Sequence, residues 1–318
     1  LALDGKTIVG RIAAIINDNH NLKYKDKTGF IGYFECINSK EVSSLLFEAA
    51  KEWLKHNGMD IMRGPINLSI NDEVGLLVNG FDKSPVLLMT YNPEYYVNLF
   101  ENYGFSKAKD FYAYIFTQED ARLNPKSMDK LERVGQIVLK RENIKIRKIV
   151  LKNLPDELLK VMKIYNEAWV DNWGSVQMTE DEFRFVASSL KPLVDEDIVY
   201  FAEVEGEAVG FSLSLPDFNQ IFKKLNGRLF PFGAIKILTG KKKINFIRVM
   251  IMGVIPKYQK KGIEAVFIND TIKTGMNKGY DGAEISWVLE DNIPMVQTAV
   301  NLGAKIYKTY RVFDKQIS

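Results

Sequence analysis

The run Val254-Ile255-Pro256-Lys257-Tyr258-Gln259-Lys260-Lys261-Gly262-Ile263-Glu264-Ala265 has the residue types and spacing to hold a pyrophosphate. An apolar, strand-like run from Phe246 to Val254 leads into it, and a helix-like run from Ala265 to Met276 leads out. A turn from strand to helix exposes backbone N–H groups at the positive end of the helix dipole, where an anion is favoured. Gly262 lets the backbone bend and approach a phosphate with no side chain in the way. Gln259, Lys260 and Lys261 add donors and positive charge. The plainer alternative is a lysine-rich turn ahead of a helix.

The order strand, Val-x-Pro-x-Tyr-Gln-x-x-Gly, helix resembles the acyl-CoA-binding motif of the Gcn5-related N-acetyltransferase (GNAT) superfamily. In that pattern Gln or Arg is followed two residues later by Gly, and then by one residue and Gly or Ala. Gln259 and Gly262 match, whereas Glu264 stands where a small residue is expected. A carboxylate there repels a pyrophosphate unless it points away. Downstream come Gly279-Tyr280-Asp281-Gly282, a strand from Ala283 to Leu289, and Glu290-Asp291-Asn292 before a short helix. A turn at Gly303-Ala304 then leads to a last strand from Ile306 to Phe313. Order and spacing fit the family from Ile244 to Asp314.

The resemblance implies acyl transfer from acetyl-CoA or a longer acyl-CoA to an amine, without a metal. It implies that backbone N–H groups at Met252 to Val254 polarise the thioester carbonyl. Gln259, Lys260, Lys261, Gly262 and Ile263 then hold the pyrophosphate, and Asn292 bonds CoA. Gly253 reads either as a bulge that splays the strand from its neighbour or as an ordinary buried glycine. The glutamate base that many members carry on this strand is replaced by Arg248, and their tyrosine acid by Ala299. Glu284, Glu290 and Tyr307 are the substitutes for catalysis, alongside Asp291 and Tyr310; for each, a surface or packing role is the plainer reading. Proximity alone can carry much of the rate. Acceptor-site candidates are Asn172 and Trp173 in the segment from Trp169 to Gly174, and Asn71, Asp72 and Glu73 in a polar loop. A further polar loop, Asn17 to Asn21, reads as turn chemistry, with His20 as a conceivable base or a solvated side chain.

These residues need elements to position them, and the chain supplies two similar sets. Ala2 to Gly10 and Ala202 to Gly210 both read as hairpins with an acidic-Gly turn. Gly29 to Ile37 matches Phe246 to Val254. Ser39 can cap a helix to about His56 with Val42, Leu45, Leu46, Ala49 and Trp53 on one face. Tyr91-Asn92-Pro93 before Gly104-Phe105 parallels Asn292-Ile293-Pro294 before Gly303-Ala304. The expected fold is α/β (α+β), with two GNAT-like units, each a mixed, mostly antiparallel sheet flanked by helices, with a splayed central strand pair. The expected divisions are a first half at 1–117, a helical connector at 118–143 and a second half at 144–318. The first half lacks a glycine at its turn, Cys36 to Glu41, so CoA is expected in the second half alone. Its opening elements read as missing, as though a segment before Leu1 were absent.

The chain has 318 residues, 43 basic and 40 acidic, for a net charge of +3. That near balance gives little support to a nucleic-acid partner. One cysteine, Cys36, excludes an intrachain disulfide and points to a reducing, cytoplasmic compartment. With two histidines besides, a His/Cys zinc site is not expected. An insertion at 218–245 carries Phe218, Ile221, Phe222 and Leu225 on one helical face, then Arg228-Leu229-Phe230-Pro231-Phe232, and closes on Lys241, Lys242 and Lys243. It suits a membrane interface, a channel for a long acyl chain, or a lid folded on the sheet. Arg63-Gly64-Pro65, Asn71-Asp72-Glu73, Tyr91-Asn92-Pro93 and Lys308-Thr309-Tyr310-Arg311 extend the resemblance to bacterial tandem acyltransferase-like proteins that include ceramide synthase-like enzymes. The reading is an acyl-CoA-dependent N-acyltransferase acting on a primary amine of a small molecule or lipid, with peripheral membrane contact. The alternatives are a CoA- or acyl-binding module without turnover and a tRNA-dependent aminoacyl ligase.

Overall fold

The structure, a computed structural model, describes residues 1–141 and 143–318. Among them the first half contributes strands β1 (Ala2–Asp4), β2 (Thr7–Ile16), β3 (Thr28–Cys36), β4 (Ile61–Gly64), β5 (Leu76–Asn79) and β6 (Ser106–Thr117). The second contributes β7 (Ile144–Lys148), β8 (Val199–Val204), β9 (Glu207–Pro216), β10 (Phe246–Val254), β11 (Gly282–Leu289) and β12 (Lys305–Gln316). The helices are α1 (Asp18–Tyr24), α2 (Lys40–His56), α3 (Tyr95–Tyr103), α4 (Gln118–Leu123), α5 (Pro125–Arg141), α6 (Leu154–Ala168), α7 (Glu180–Leu190), α8 (Asn219–Phe222), α9 (Gly233–Gly240), α10 (Ile263–Asn277) and α11 (Ile293–Leu302).

The strands form one mixed, mostly antiparallel sheet in the order β1-β2-β3-β4-β12-β6-β11-β10-β9-β8-β7, with β5 paired to β12. The last strand of each half is exchanged. β12 pairs with β4 and β5 of the first half, and β6 pairs with β11 of the second. β6 and β12 also pair with each other along most of their length. Two bidentate ion pairs hold the exchange: Arg63 to Asp314 (2.7 and 2.7 Å) and Arg311 to Asp110 (2.7 and 2.9 Å). The two sheets expected from the sequence are thus joined into one.

Each half has one parallel strand pair that starts together and then splits. β10 and β11 pair from Phe246–Gly282 to Val249–Ile285 and then diverge. β3 and β4 pair from Thr28–Ile61 to Phe30–Arg63. In the first half the chain fills its own split. Ile66 N–H donates to Ile31 O (2.8 Å), and Tyr33 N–H donates to the Asn67 side-chain oxygen (2.7 Å). The split between β10 and β11 opens instead into a cavity.

Helix ends follow local sequence. Ser39 caps α2, its hydroxyl accepting from Val42 N–H at 3.2 Å. Asn292 caps α11 through Met295 N–H at 3.3 Å. α10 differs: Gly262, at φ +91°, stands at its N-terminus with no side-chain cap. Two expectations are corrected here. Asn17 to Asn21 is not an open loop: Asn17 caps α1, and His20 is 3% exposed, edge-on to Phe30. Its ring is held between Tyr24 and Phe30, with Asp26 at 3.6 Å, and it is Phe30, on the adjacent strand β3, that the local sequence does not reveal. The bulge in β10 lies between Val249 and Ile251, not at Gly253. Gly253 is where the Trp169 indole lies against the strand; a Cβ there would meet the ring at 2.2 Å.

Candidate active site

A cavity of about 1320 Å³ opens where β10 and β11 part. Its floor is Met250, Ile251 and Met252 on one side and Trp287 and Leu289 on the other. Helices α6 and α7 and the segment between them wall it with Trp169, Met178, Phe183 and Val186. The first half closes it with the loop Asn67 to Glu73. It exceeds the roughly 300–1,000 Å³ of an ordinary small-ligand pocket, and its walls are mostly apolar.

All five acceptor-site candidates, Asn71, Asp72, Glu73, Asn172 and Trp173, line this one cavity although they come from both halves. Tyr165 O–H donates to the Asn71 side-chain oxygen (2.8 Å), and Asn71 donates to Val176 O (3.2 Å). The Lys23 ammonium donates to Val170 O (2.5 Å) and Ser175 O (2.9 Å), so α1 clamps the segment that carries Asn172 and Trp173. Trp173 lies under the Arg63 guanidinium, 5.0 Å from its ring centre, and meets Phe111 edge-on. Asp72 accepts from the Ser69 hydroxyl at 2.9 Å. Partial desolvation at the cavity wall pushes its carboxyl above the ordinary carboxylate range; Glu182 and Glu73 add to this and Ser69 opposes it.

The catalytic candidates lie elsewhere. Glu284 is 0% exposed beneath the split; it accepts from Ser286 Oγ (2.5 Å) and from the Tyr307 hydroxyl. Burial and that carboxylate drive the Tyr307 phenol far above its ordinary pKa. Neither side chain lines the cavity, but a polar chain connects them to it. Arg248, 2% exposed, donates to Ser286 Oγ (3.1 Å) and Leu87 O (2.9 Å), and both Arg248 and Ser286 face the cavity. Burial pulls the Arg248 guanidinium below its ordinary value, and Glu284 pulls it back. Glu290 is held by Lys107 (2.5 Å) and by Asp110 N–H (3.1 Å), outside the cavity. The missed members were Tyr165 and Ser286, while Arg248 was noticed on its strand and given no role. A lone arginine inside the apolar run Phe246 to Val254 was the available signal.

The cofactor candidates divide. Met252 and Asn292 line the cavity. Val254 is buried, and its carbonyl accepts from the Gln259 amide at 3.0 Å. Ile263, the first residue of α10, is fully buried. The first helical N–H groups given a backbone partner are those of Ala265 and Val266, both on Gly262 O. With Lys260 in a left-handed turn beside Gly262, the loop offers uncapped N–H groups to an anion. Two features oppose one. The Glu264 carboxylate bonds its own backbone N–H, and burial raises its pKa. Val138 of α5 packs so closely that a Cβ on Gly262 would meet it at 2.8 Å. Helix α5 runs antiparallel along α10, with Gly135 at Val266 and Glu132 bonded to Lys273 (2.5 Å). Among the described residues no group of three or more His, Cys, Asp or Glu is placed to hold a metal.

A joined pair of sheets, each with one split parallel strand pair and a helix between the two strands, the second helix entered through a glycine turn, is the tandem GNAT architecture. Solved structures agree. A GCN5-related N-acetyltransferase from Sphaerobacter thermophilus superposes with a TM-score of 0.54 at 12% identity, over 97% of this chain and 77% of that one. A tandem GNAT protein from the clavulanic acid biosynthesis pathway gives 0.54 at 9% identity, over 99% and 81%. No family model matches. The chain is 36% identical over 327 residues to the bacterial ceramide synthase of Caulobacter vibrioides, covering 100% of this chain and 83% of that protein. It is 35% identical over 316 residues to Protein YghO of Escherichia coli, covering 98% and 80%. It belongs to the family of these two proteins.

Proposed function

We propose that this protein is an acyl-CoA-dependent N-acyltransferase that moves an acetyl or longer acyl group onto a primary amine, with one active site at the junction of the two halves. The observation that carries the reading is the large, mostly apolar cavity at the split between β10 and β11. The first half fills its own split, and Ser39 caps its helix, so it offers neither a cavity nor a free helix N-terminus there. The division at 1–117, 118–143 and 144–318 then separates a half that borders the acceptor site from one that takes CoA. The cavity's size suits a long acyl chain and a lipid amine. The relative named a bacterial ceramide synthase supports that choice, since a ceramide is the amide of a fatty acid and a long-chain base.

The amine nitrogen attacks the thioester carbonyl carbon, the C–S bond breaks, and the amine proton leaves. Asp72 is placed to take that proton: it faces the cavity, and its raised pKa makes it a better base than an ordinary aspartate. N–H groups of β10 beyond Val249, freed where β11 turns away, are placed to stabilise the oxyanion. Lys257 and Lys260, both exposed beside Gly262, would pair with the pyrophosphate, and Met252 and Asn292, which line the cavity, would meet the pantetheine arm. Released CoA takes up a proton as the free thiol.

The second reading, a CoA- or acyl-binding module without turnover, is favoured by Glu264 in the first turn of α10 and by Val138 against Gly262. Thermal melting with CoA, acetyl-CoA and palmitoyl-CoA, on wild type and Lys257→Glu/Lys260→Glu, separates them when paired with thiol release in the presence of a long-chain amine. The enzyme gives stabilisation that the charge reversals weaken, and thiol release that requires the amine. Stabilisation without thiol release supports the module. No stabilisation by any of the three sinks both.

A further inference from the structure

We propose that the insertion at 218–245 docks the protein on an anionic lipid surface. From Phe218 to Asn245 the chain carries seven basic residues and no Asp or Glu, in a protein whose charges otherwise nearly balance. The segment anchors itself through Phe218 and Ile221, which are buried in the same core cluster as Phe183 of the cavity wall. Four of its apolar residues face outward instead: Phe230 is 78% exposed, Leu238 77%, Phe232 68% and Ile235 57%. Ile235 and Leu238 are one turn apart on α9 and share its outer face. Singly exposed apolar side chains are ordinary, but four strongly exposed ones within nine residues of chain are not.

Charge decides the occupant. Lys223, Lys224, Arg228, Lys236 and the run Lys241–Lys243 are all exposed. Lys236 donates to Lys224 O at 3.5 Å, and Lys241 lies 6.0 Å from the Phe218 ring. No carboxylate pairs with any of the seven among the described residues. A second copy of this face would set seven cations against seven. An anionic lipid leaflet supplies both what the cations lack and a hydrocarbon layer for the phenylalanines. Among the described residues no helix is long and apolar enough to cross a membrane, so the contact is with the surface.

The test is flotation of the full chain with vesicles of phosphatidylcholine alone and of an equal mixture with phosphatidylglycerol, at low and high salt. No acyl-CoA or amine is present, so the outcome is independent of whether the cavity turns over substrate. Wild type is expected to float with the mixed vesicles at low salt and to detach at high salt. Lys241→Gln/Lys242→Gln/Lys243→Gln is expected to lose about a hundredfold in partitioning, at about fivefold per lysine near an anionic surface. Phe230→Ser/Leu238→Ser is expected to lose about tenfold or more. All five side chains are exposed, so both variants should melt as wild type does, which checks their fold. Failure of wild type to float, or equal flotation of wild type and lysine variant, overturns the proposal. So does concentration-dependent dimerisation without lipid that Phe230→Ser/Leu238→Ser abolishes, since the face would then be an interface between copies.

Discussion

Asp72 and Arg248 face one cavity from opposite situations. Asp72 sits at its open edge on a loop of the first half, while Arg248 sits at its closed end on β10. If Asp72 takes the proton from the amine, its ionised form is the active one. Activity then rises with pH through its pKa, which desolvation has raised, so the acidic limb falls above the ordinary aspartate range. Asp72→Asn is expected to lower kcat about a hundredfold, with KM for acyl-CoA nearly unchanged; an unaltered pH-rate profile would remove Asp72 from the mechanism. Arg248 is a matter of stability. Its loss removes a donor from Leu87 O and from Ser286 Oγ and leaves the buried Glu284 with Lys308 as its remaining cation. Arg248→Met should cost about 3 kcal/mol or more in urea unfolding. Adding Glu284→Gln should return part of that cost. Simple additivity of the two changes would show that the carboxylate and the guanidinium are not coupled.

At the scale of elements, the connecting helix α5 is the least anticipated feature. Its expected range, about Ser127 to Lys140, lies within the observed Pro125–Arg141, yet its seat on α10 was not expected. The two helices meet at Gly135, where an added Cβ would find nothing nearer than Val266 Cα at 3.9 Å, an ordinary contact. Alanine in place of a helical glycine lowers the backbone entropy lost on folding. Gly135→Ala is therefore expected to stabilise the protein by about 0.5–1 kcal/mol, read from the shift in the urea midpoint. Destabilisation would mean that α5 and α10 cannot separate by even a few tenths of an ångström. Val138 in α5 reaches Gly262, so whatever loosens α5 also uncovers the start of α10. The insertion likewise shows two faces: Phe218 and Ile221 fold onto the core as a lid would, while Phe230 and Leu238 stay outside.

For the whole molecule the exchange of β6 and β12 is decisive. Neither half can complete its sheet alone, because β12 runs along β4 and β5 while β6 runs along β11. Expressed separately, residues 1–117 and 118–318 are each expected to lack a cooperative melt. Mixing the two is expected to restore one. A cooperative melt of 1–117 alone would mean that β6 can fold back beside β4 in the place β12 now holds. The same exchange builds the cavity, since it fixes the loop Asn67 to Glu73 opposite Trp169 to Met178.

Features that depend on a few neighbouring residues were legible in the sequence. Ser39 and Asn292 cap helices, Gly262 takes the left-handed turn, and β10 spans Phe246 to Val254 as its apolar run predicts. Capping, positive φ and strand periodicity are set within a handful of residues, so local composition encodes them. The five residues that line the cavity from both halves were found through the family pattern, although nothing local places Asn71 beside Tyr165 or Asn172 beside Tyr24. The burial of His20, the bulge at Val249–Ile251 and the polar chain from Arg248 to Tyr307 came with the tertiary structure. So did the seat of α5 and the exchanged strands. Each depends on which of several chemically similar surfaces meet. The residues of β6 carry no local signal for which half's edge they join, and the packing of the whole sheet, with Arg63 on Asp314 and Arg311 on Asp110, selects one.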